Sequence, residues 1–181
     1  MNEMVRRCIE RIYKQNDTDY YLSRCRKPVK LPRELEALFD NPAWMVIDVY
    51  KNDVWPSDRW KIDFEDITFG DHVLSLRTKL LISRLVPVFY VQHEFEMEVN
   101  DDRLITPVLD GFGPEAYSKM QFEFHERVSQ ILKKEGFQEL SFAEMNEVVC
   151  ALSFKEGVTL FGNQVTVEYA LFYDILELCP D

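Results

Sequence analysis

Residues Asp71 to Val99 read DHVLSLRTKLLISRLVPVFYVQHEFEMEV, two long stretches of alternating character that meet at Val86-Pro87. In the second, Val91, His93, Phe95, Met97 and Val99 fall on one face, while Tyr90, Gln92, Glu94, Glu96 and Glu98 fall on the other. That two-residue period is a strand with one apolar and one acidic side. In the first, Leu74, Leu76, Thr78, Leu80 and Ile82 share a face opposite Ser75, Arg77 and Lys79. A helix over Val73 to Leu85 fits less well, because Arg77 and Arg84 would then fall among the apolar positions. The two stretches therefore predict the core hairpin of an antiparallel sheet. Their join, Ser83-Arg84-Leu85-Val86, lacks the usual hairpin-turn residues, so a short helix through Leu80 to Leu85 is the alternative there. Pro87, which has no N–H, favours an edge or a bulge where the next strand starts.

On the N-terminal side, Trp44, Val46, Asp48 and Tyr50 alternate with Met45, Ile47 and Val49, apolar enough on both sides to predict a central, covered strand. Trp60, Ile62 and Phe64 alternate with Lys61, Asp63 and Glu65 as a half-exposed strand, and Thr68-Phe69-Gly70-Asp71 turns the chain into the hairpin. Met4, Val5, Cys8, Ile9, Ile12 and Tyr13 carry helical spacing, whereas Asp17 to Tyr21 loses it. A short basic island follows, Arg24, Arg26, Lys27 and Lys30, and then a short helix from Pro32 that Asp40-Asn41-Pro42 ends.

On the C-terminal side, Asn100-Asp101-Asp102 turns the chain into a long loop reaching Asp110-Gly111-Phe112-Gly113-Pro114. Pro114 at the first position, an apolar stripe through Phe124, Val128 and Leu132, Lys133 and Lys134 in the last turn, and Gly136 beyond it predict a helix from Pro114 to about Glu135. Ser141 and Glu144 form a capping-box pattern that starts a short helix ending near Leu152. Gly162-Asn163 suggests a small hairpin between 158–161 and 164–167. From Thr166 to Leu178 the alternation of Val167, Tyr169, Leu171, Tyr173 and Ile175 resembles a strand, but Thr166 as N-cap and Cys179-Pro180 as terminator favour a helix.

The fold class that follows is α+β: a single domain with a mainly antiparallel sheet of four or five strands, covered on one face by the long helix and the terminal helices. A chain of 181 residues, 46% hydrophobic and 29% charged, can bury a core without disulfides or metals. The first twenty residues resemble neither a secretory signal nor a membrane span, so a cytoplasmic location with reduced cysteines is expected. Cys8, Cys25, Cys150 and Cys179 lie too far apart for a zinc ribbon or a C-x-x-C redox pair.

A net charge of -11 argues against sequence-independent nucleic-acid binding, which needs a basic face, and suits a basic partner. Glu94, Glu96 and Glu98, continued by Asp101 and Asp102, form the clearest charge constellation. Alternate carboxylates on one strand stand roughly 7 Å apart and repel unless a cation lies across them. Arg77 and Lys79 on the neighbouring strand are placed to pair with them, and a basic protein or a divalent ion are the other candidates. Trp55 and Asp58, in a polar connector, add a second candidate contact, because an exposed aromatic beside charge often anchors a partner. Trp60 is in phase with Ile62 and Phe64 and reads as core.

No G-x-S-x-G, G-x-x-x-x-G-K or G-x-G-x-x-G pattern occurs, and His72, His93 and His125 have no zinc-ligand spacing, so no cofactor or metal is expected. His93 reads as a core histidine bonded to a neighbour. The leading expectation is a non-enzymatic module that holds a basic protein through Glu94, Glu96, Glu98, Asp101, Asp102, Trp55 and Asp58, for example an inhibitor or immunity-type antidote of a nuclease toxin. The alternative is a metal-assisted hydrolase built on Glu94, Glu96, Asp101 and His93. A homo-oligomer is compatible with either.

Overall fold

The computed structural model describes residues 1–50, 53–70, 72–98, 103, 108–154 and 164–180, and for 47–50 the backbone only. Its strands are β1 (Trp44–Tyr50), β2 (Ser57–Phe64), β3 (Ile67–Phe69), β4 (His72–Ser83), β5 (Val88–Glu98), β6 (Val108–Gly113), β7 (Gln138–Glu139), β8 (Val148–Val149) and β9 (Val165–Thr166). Its α-helices are α1 (Glu3–Ile9), extended by a π turn over Glu10–Lys14, α2 (Thr18–Cys25), α3 (Arg33–Phe39), α4 (Lys119–Lys134), α5 (Phe142–Met145) and α6 (Val167–Phe172). The class is α+β, with a mostly antiparallel sheet.

The β4–β5 hairpin is the axis of that sheet, in register from Val73↔Glu98 to Ile82↔Phe89. The strand order is β1-β2-β4-β5-β6. β3 pairs with the start of β4, and β7 runs parallel to the start of β5, so each hairpin strand carries two partners in succession along its outer edge. Seven strands result, where four or five were expected.

Two apolar clusters flank the sheet. On one face α4 lays Phe124, Val128 and Leu132, and α3 lays Leu35 and Leu38, against Ile62, Leu76, Leu80 and Val91. Trp44, Phe64 and Phe124 meet edge to face there. On the opposite face, α1 and α6 cover only the turn end of the hairpin, where Leu81, Val88 and Tyr90 meet Val5, Ile9 and Phe172. The sheet is thus covered on both faces at one end, a correction to the one-face expectation.

Five further expectations change. Strand β1 is an edge strand with β2 as its one partner among the described residues; its apolar character at Trp44 is answered by α4 and α3 packing on its face, not by a second flanking strand. Thr18 to Tyr21 is helical: the side chain of Asp17, just before it, accepts from the Tyr20 N–H and caps α2. The long helix starts at Lys119, where Ser118 accepts from the Gln121 N–H, because the chain through Gly113 is occupied as strand β6. Its C-terminal end is as expected, with Gly136 at φ 86. The capping box at Ser141 and Glu144 is present, but α5 is one turn long and β8 follows it. Thr166 does cap the tail helix, which stops at Phe172. The turn expected at Gly162-Asn163 lies outside the described residues.

No helix among the described residues is long and apolar enough to cross a membrane.

Candidate functional site

Beyond the reach of α1 and α6, the second face of the sheet is open, and one row of residues crosses all five main strands there. Register places Met45 opposite Asp63, Asp63 opposite Arg77, Arg77 opposite Glu94, and Glu94 opposite Phe112. The centre of the row is an ion-pair network. Arg77 Nε lies 3.0 Å from Asp63, Arg77 Nη1 lies 3.9 Å from Glu94, and Lys79 also pairs with Glu94. The ends of the row are apolar and exposed, Met45 at 62% and Phe112 at 65%. Between them lies a groove of about 470 Å³, also lined by Asp66, Ser75, Glu96 and Asp110.

Local chemistry explains the row. The two-residue period of β2, β4 and β5 sends Ile62, Leu76 and Phe95 towards α4 and leaves their neighbours on the open side. From behind, the buried Gln121 of α4 donates through Nε2 to the carbonyls of Arg77 and Glu94, at 2.8 and 3.1 Å. That amide bolts the helix to the two residues at the middle of the row. Gly111 lets β6 approach, since a Cβ there would lie 2.6 Å from Cε1 of Phe95.

The expected pairing of Arg77 and Lys79 reaches Glu94 and no further. Glu96 sits opposite Ser75 on one side and Asp110 on the other, so two carboxylates oppose each other directly across β5 and β6. Glu96, Glu98 and Asp110 have no cation within ion-pair distance among the described residues. Like charges directly opposite on adjacent strands destabilise the pair. Asp101 and Asp102 lie outside the described residues.

The second candidate does not join the first. Asp58 is 3% exposed and pairs with the buried Arg84, and its other oxygen accepts from the Val29 N–H. The connector is folded inwards because Arg84, in the hairpin turn, carries its charge into the core and must be answered there. Trp55 is half-buried, with its Nε1 buried and without a hydrogen-bond partner among the described residues, and Arg59 stands 5.7 Å from the ring. Arg59 is four residues along β2 from Asp63, roughly 13 Å. Trp55 therefore belongs to the other end of the sheet from Glu96. Trp60 is core, as expected.

His93 is fully buried on the α4 face, bonded to Thr78 and His125. It lies across the sheet from Glu94 and Glu96, so these three do not converge on one metal site, and among the described residues no three His, Cys, Asp or Glu side chains gather as a metal-ligand set. His72 is half-buried, and its Nδ1 has no partner among the described residues.

Models of known protein families, curated proteins and solved structures offer no match to this chain. Any functional reading therefore rests on the site itself. Sequence reasoning missed Met45, Asp63, Asp110 and Phe112. Met45 alternated within a strand too apolar to look like an edge, and Gly111 and Gly113 made β6 resemble a loop.

Proposed function

We propose that this chain is a non-enzymatic protein-binding module that holds a basic segment of another protein against the open end of its sheet. The observation that carries the reading is the opposition of Glu96 and Asp110 beside Glu98, with no cation within ion-pair distance among the described residues and the exposed Phe112 alongside. A lysine or arginine supplied from outside would relieve the repulsion, and its aliphatic stem or guanidinium would lie over the Phe112 ring. Met45, at the far end of the ion-pair row, offers a second apolar contact of the adaptable kind that suits recognition surfaces. A net charge of -11 steers a cationic partner towards the protein at long range, while the row itself fixes orientation. An inhibitor or immunity-type antidote covering a cationic nuclease site is one member of this class.

The test is affinity capture from lysate of the source cells at low and raised salt, followed by rebinding of the purified pair. The reading predicts one basic protein, retained at low salt, released at raised salt, and lost from the Glu96→Lys, Asp110→Lys double variant. A partner that survives both the charge reversal and the salt would overturn it.

A further inference from the structure

An unbroken chain of hydrogen bonds runs from the middle of the sheet to the surface. Thr78 Oγ1 lies 2.9 Å from His93 Nδ1, His93 Nε2 lies 3.0 Å from His125 Nδ1, and His125 Nε2 bonds one oxygen of Glu139. The other Glu139 oxygen accepts from Ser129 Oγ at 2.7 Å and pairs with Lys133 Nζ at 2.8 Å. Thr78 and His93 are fully buried, and the chain links β4, β5, α4 and β7.

Counting donors determines where the hydrogens sit. Burial alone would raise the Glu139 carboxyl, but hydrogen bonds from His125, Lys133 and Ser129 outweigh it and hold the group down to about 2. Glu139 is therefore a carboxylate at neutral pH and can only accept, so His125 donates to it through Nε2. A neutral His125 then presents a bare Nδ1, which requires His93 to donate through Nε2. That leaves His93 Nδ1 bare, and the Thr78 hydroxyl donates to it. Every donor points from Thr78 towards Glu139.

One added proton reverses the inner half of the chain. As an imidazolium, His125 donates from both nitrogens, so His93 must present a bare Nε2 and carry its hydrogen on Nδ1, donating to Thr78 Oγ1. All three contacts survive, and the two rings together go from two N–H groups to three. With both rings charged, two N–H groups would face each other and the His93–His125 bond would be lost.

We propose that Thr78, His93 and His125 form a one-proton tautomer switch, in which protonation of His125 moves the hydrogen of a neutral His93 from Nε2 to Nδ1 while the chain stays intact. Burial, and then the neighbouring His125, pull His93 down to about 4, and of the two rings only His125 is bonded directly to the Glu139 carboxylate, the counter-charge that an added proton would meet. The charged groups bonded into the pair's chain are Glu139 on β7 and, through it, Lys133 on α4; Glu115 and Glu144 line the broad groove that His125 also lines, and Tyr90 on β5 packs on the other face of the sheet with α1 and α6. Glu94, next to His93 along β5, faces the open side of the sheet and takes no part. A proton arriving at the groove thus reorients a hydroxyl at the centre of the sheet.

The switch is tested by long-range 1H–15N correlation spectra of the imidazoles in the full-length, 15N-labelled protein, from about pH 8 to about pH 5. His93 is expected to change from the Nε2–H to the Nδ1–H pattern with the same midpoint at which His125 becomes an imidazolium. In His125→Gln the His93 change should vanish, and in Glu139→Gln both midpoints should move together. The proposal is overturned if His93 keeps one tautomer while His125 charges, if His93 itself becomes an imidazolium in the folded protein over this range, or if the Glu139→Gln midpoints separate. The parent titration alone decides the matter should His125→Gln not fold.

Discussion

Arg84 is 3% exposed, and its guanidinium is answered from three directions. Nη2 pairs with Asp58, and Nη1 donates to the carbonyls of Cys25 and Asp53. A buried pair of this kind adds little over well-packed apolar residues, yet removing one partner leaves a charge stranded in the core. Asp58→Ala is therefore expected to cost about 3–5 kcal/mol in urea unfolding. The double variant Asp58→Leu, Arg84→Met should recover most of that loss. A single variant within about 1 kcal/mol of the parent would show that the Arg84 charge is satisfied without its carboxylate.

Among the elements, α4 is held by two unequal devices, one local to the helix and one that fastens it to the hairpin. Ser118 caps its first turn, at a surface-facing end where such a cap is worth about 1 kcal/mol. Gln121, fully buried, accepts from the Tyr117 N–H and donates to the Arg77 and Glu94 carbonyls, so its loss leaves three backbone groups short of a partner. Gln121→Met is expected to cost about 2–3 kcal/mol, more than Ser118→Ala, by equilibrium denaturation. It should also weaken partner binding on the opposite face, because the backbone beneath Arg77 and Glu94 loses its support. Equal costs for the two variants would show that the amide is not the stronger fastening.

For the whole molecule, one buried and one half-buried titratable group set the response to acid. His93 is held at about 4, against an ordinary value near 6.5, so the unfolded chain takes up its proton first as the pH falls. The neutral imidazole therefore contributes fully above about pH 6.5, and that contribution is lost between there and about pH 4, roughly 3 kcal/mol in all. Glu139, held down to about 2 from an ordinary carboxylate value of 4.5, adds a second loss in the window between those values. Urea midpoints should be level at neutral pH, decline through the histidine window, and continue to decline below it. In His93→Gln the first decline should largely disappear, and its persistence would assign the acid sensitivity elsewhere.

Much of this architecture was written in local pattern. The two-residue period from Asp71 to Val99 determined the hairpin and which side of it is acidic, because side-chain direction along a strand depends only on position. The caps at Ser141, Thr166 and Gly136 were equally legible, since each is satisfied within a few residues of chain. Tertiary structure alone decided the rest. Whether Trp44–Tyr50 lies at the edge or the centre depends on which strands pair, and β6 is a strand because β5 offers it an edge and Phe95 needs the space above Gly111. Asp58 turned inwards because Arg84, 26 residues away, required a buried counter-charge. The opposition of Glu96 to Asp110 and the contact of His93 with His125 are likewise set by register and by helix docking. Such contacts join residues far apart in the chain, and no periodicity within one segment encodes them.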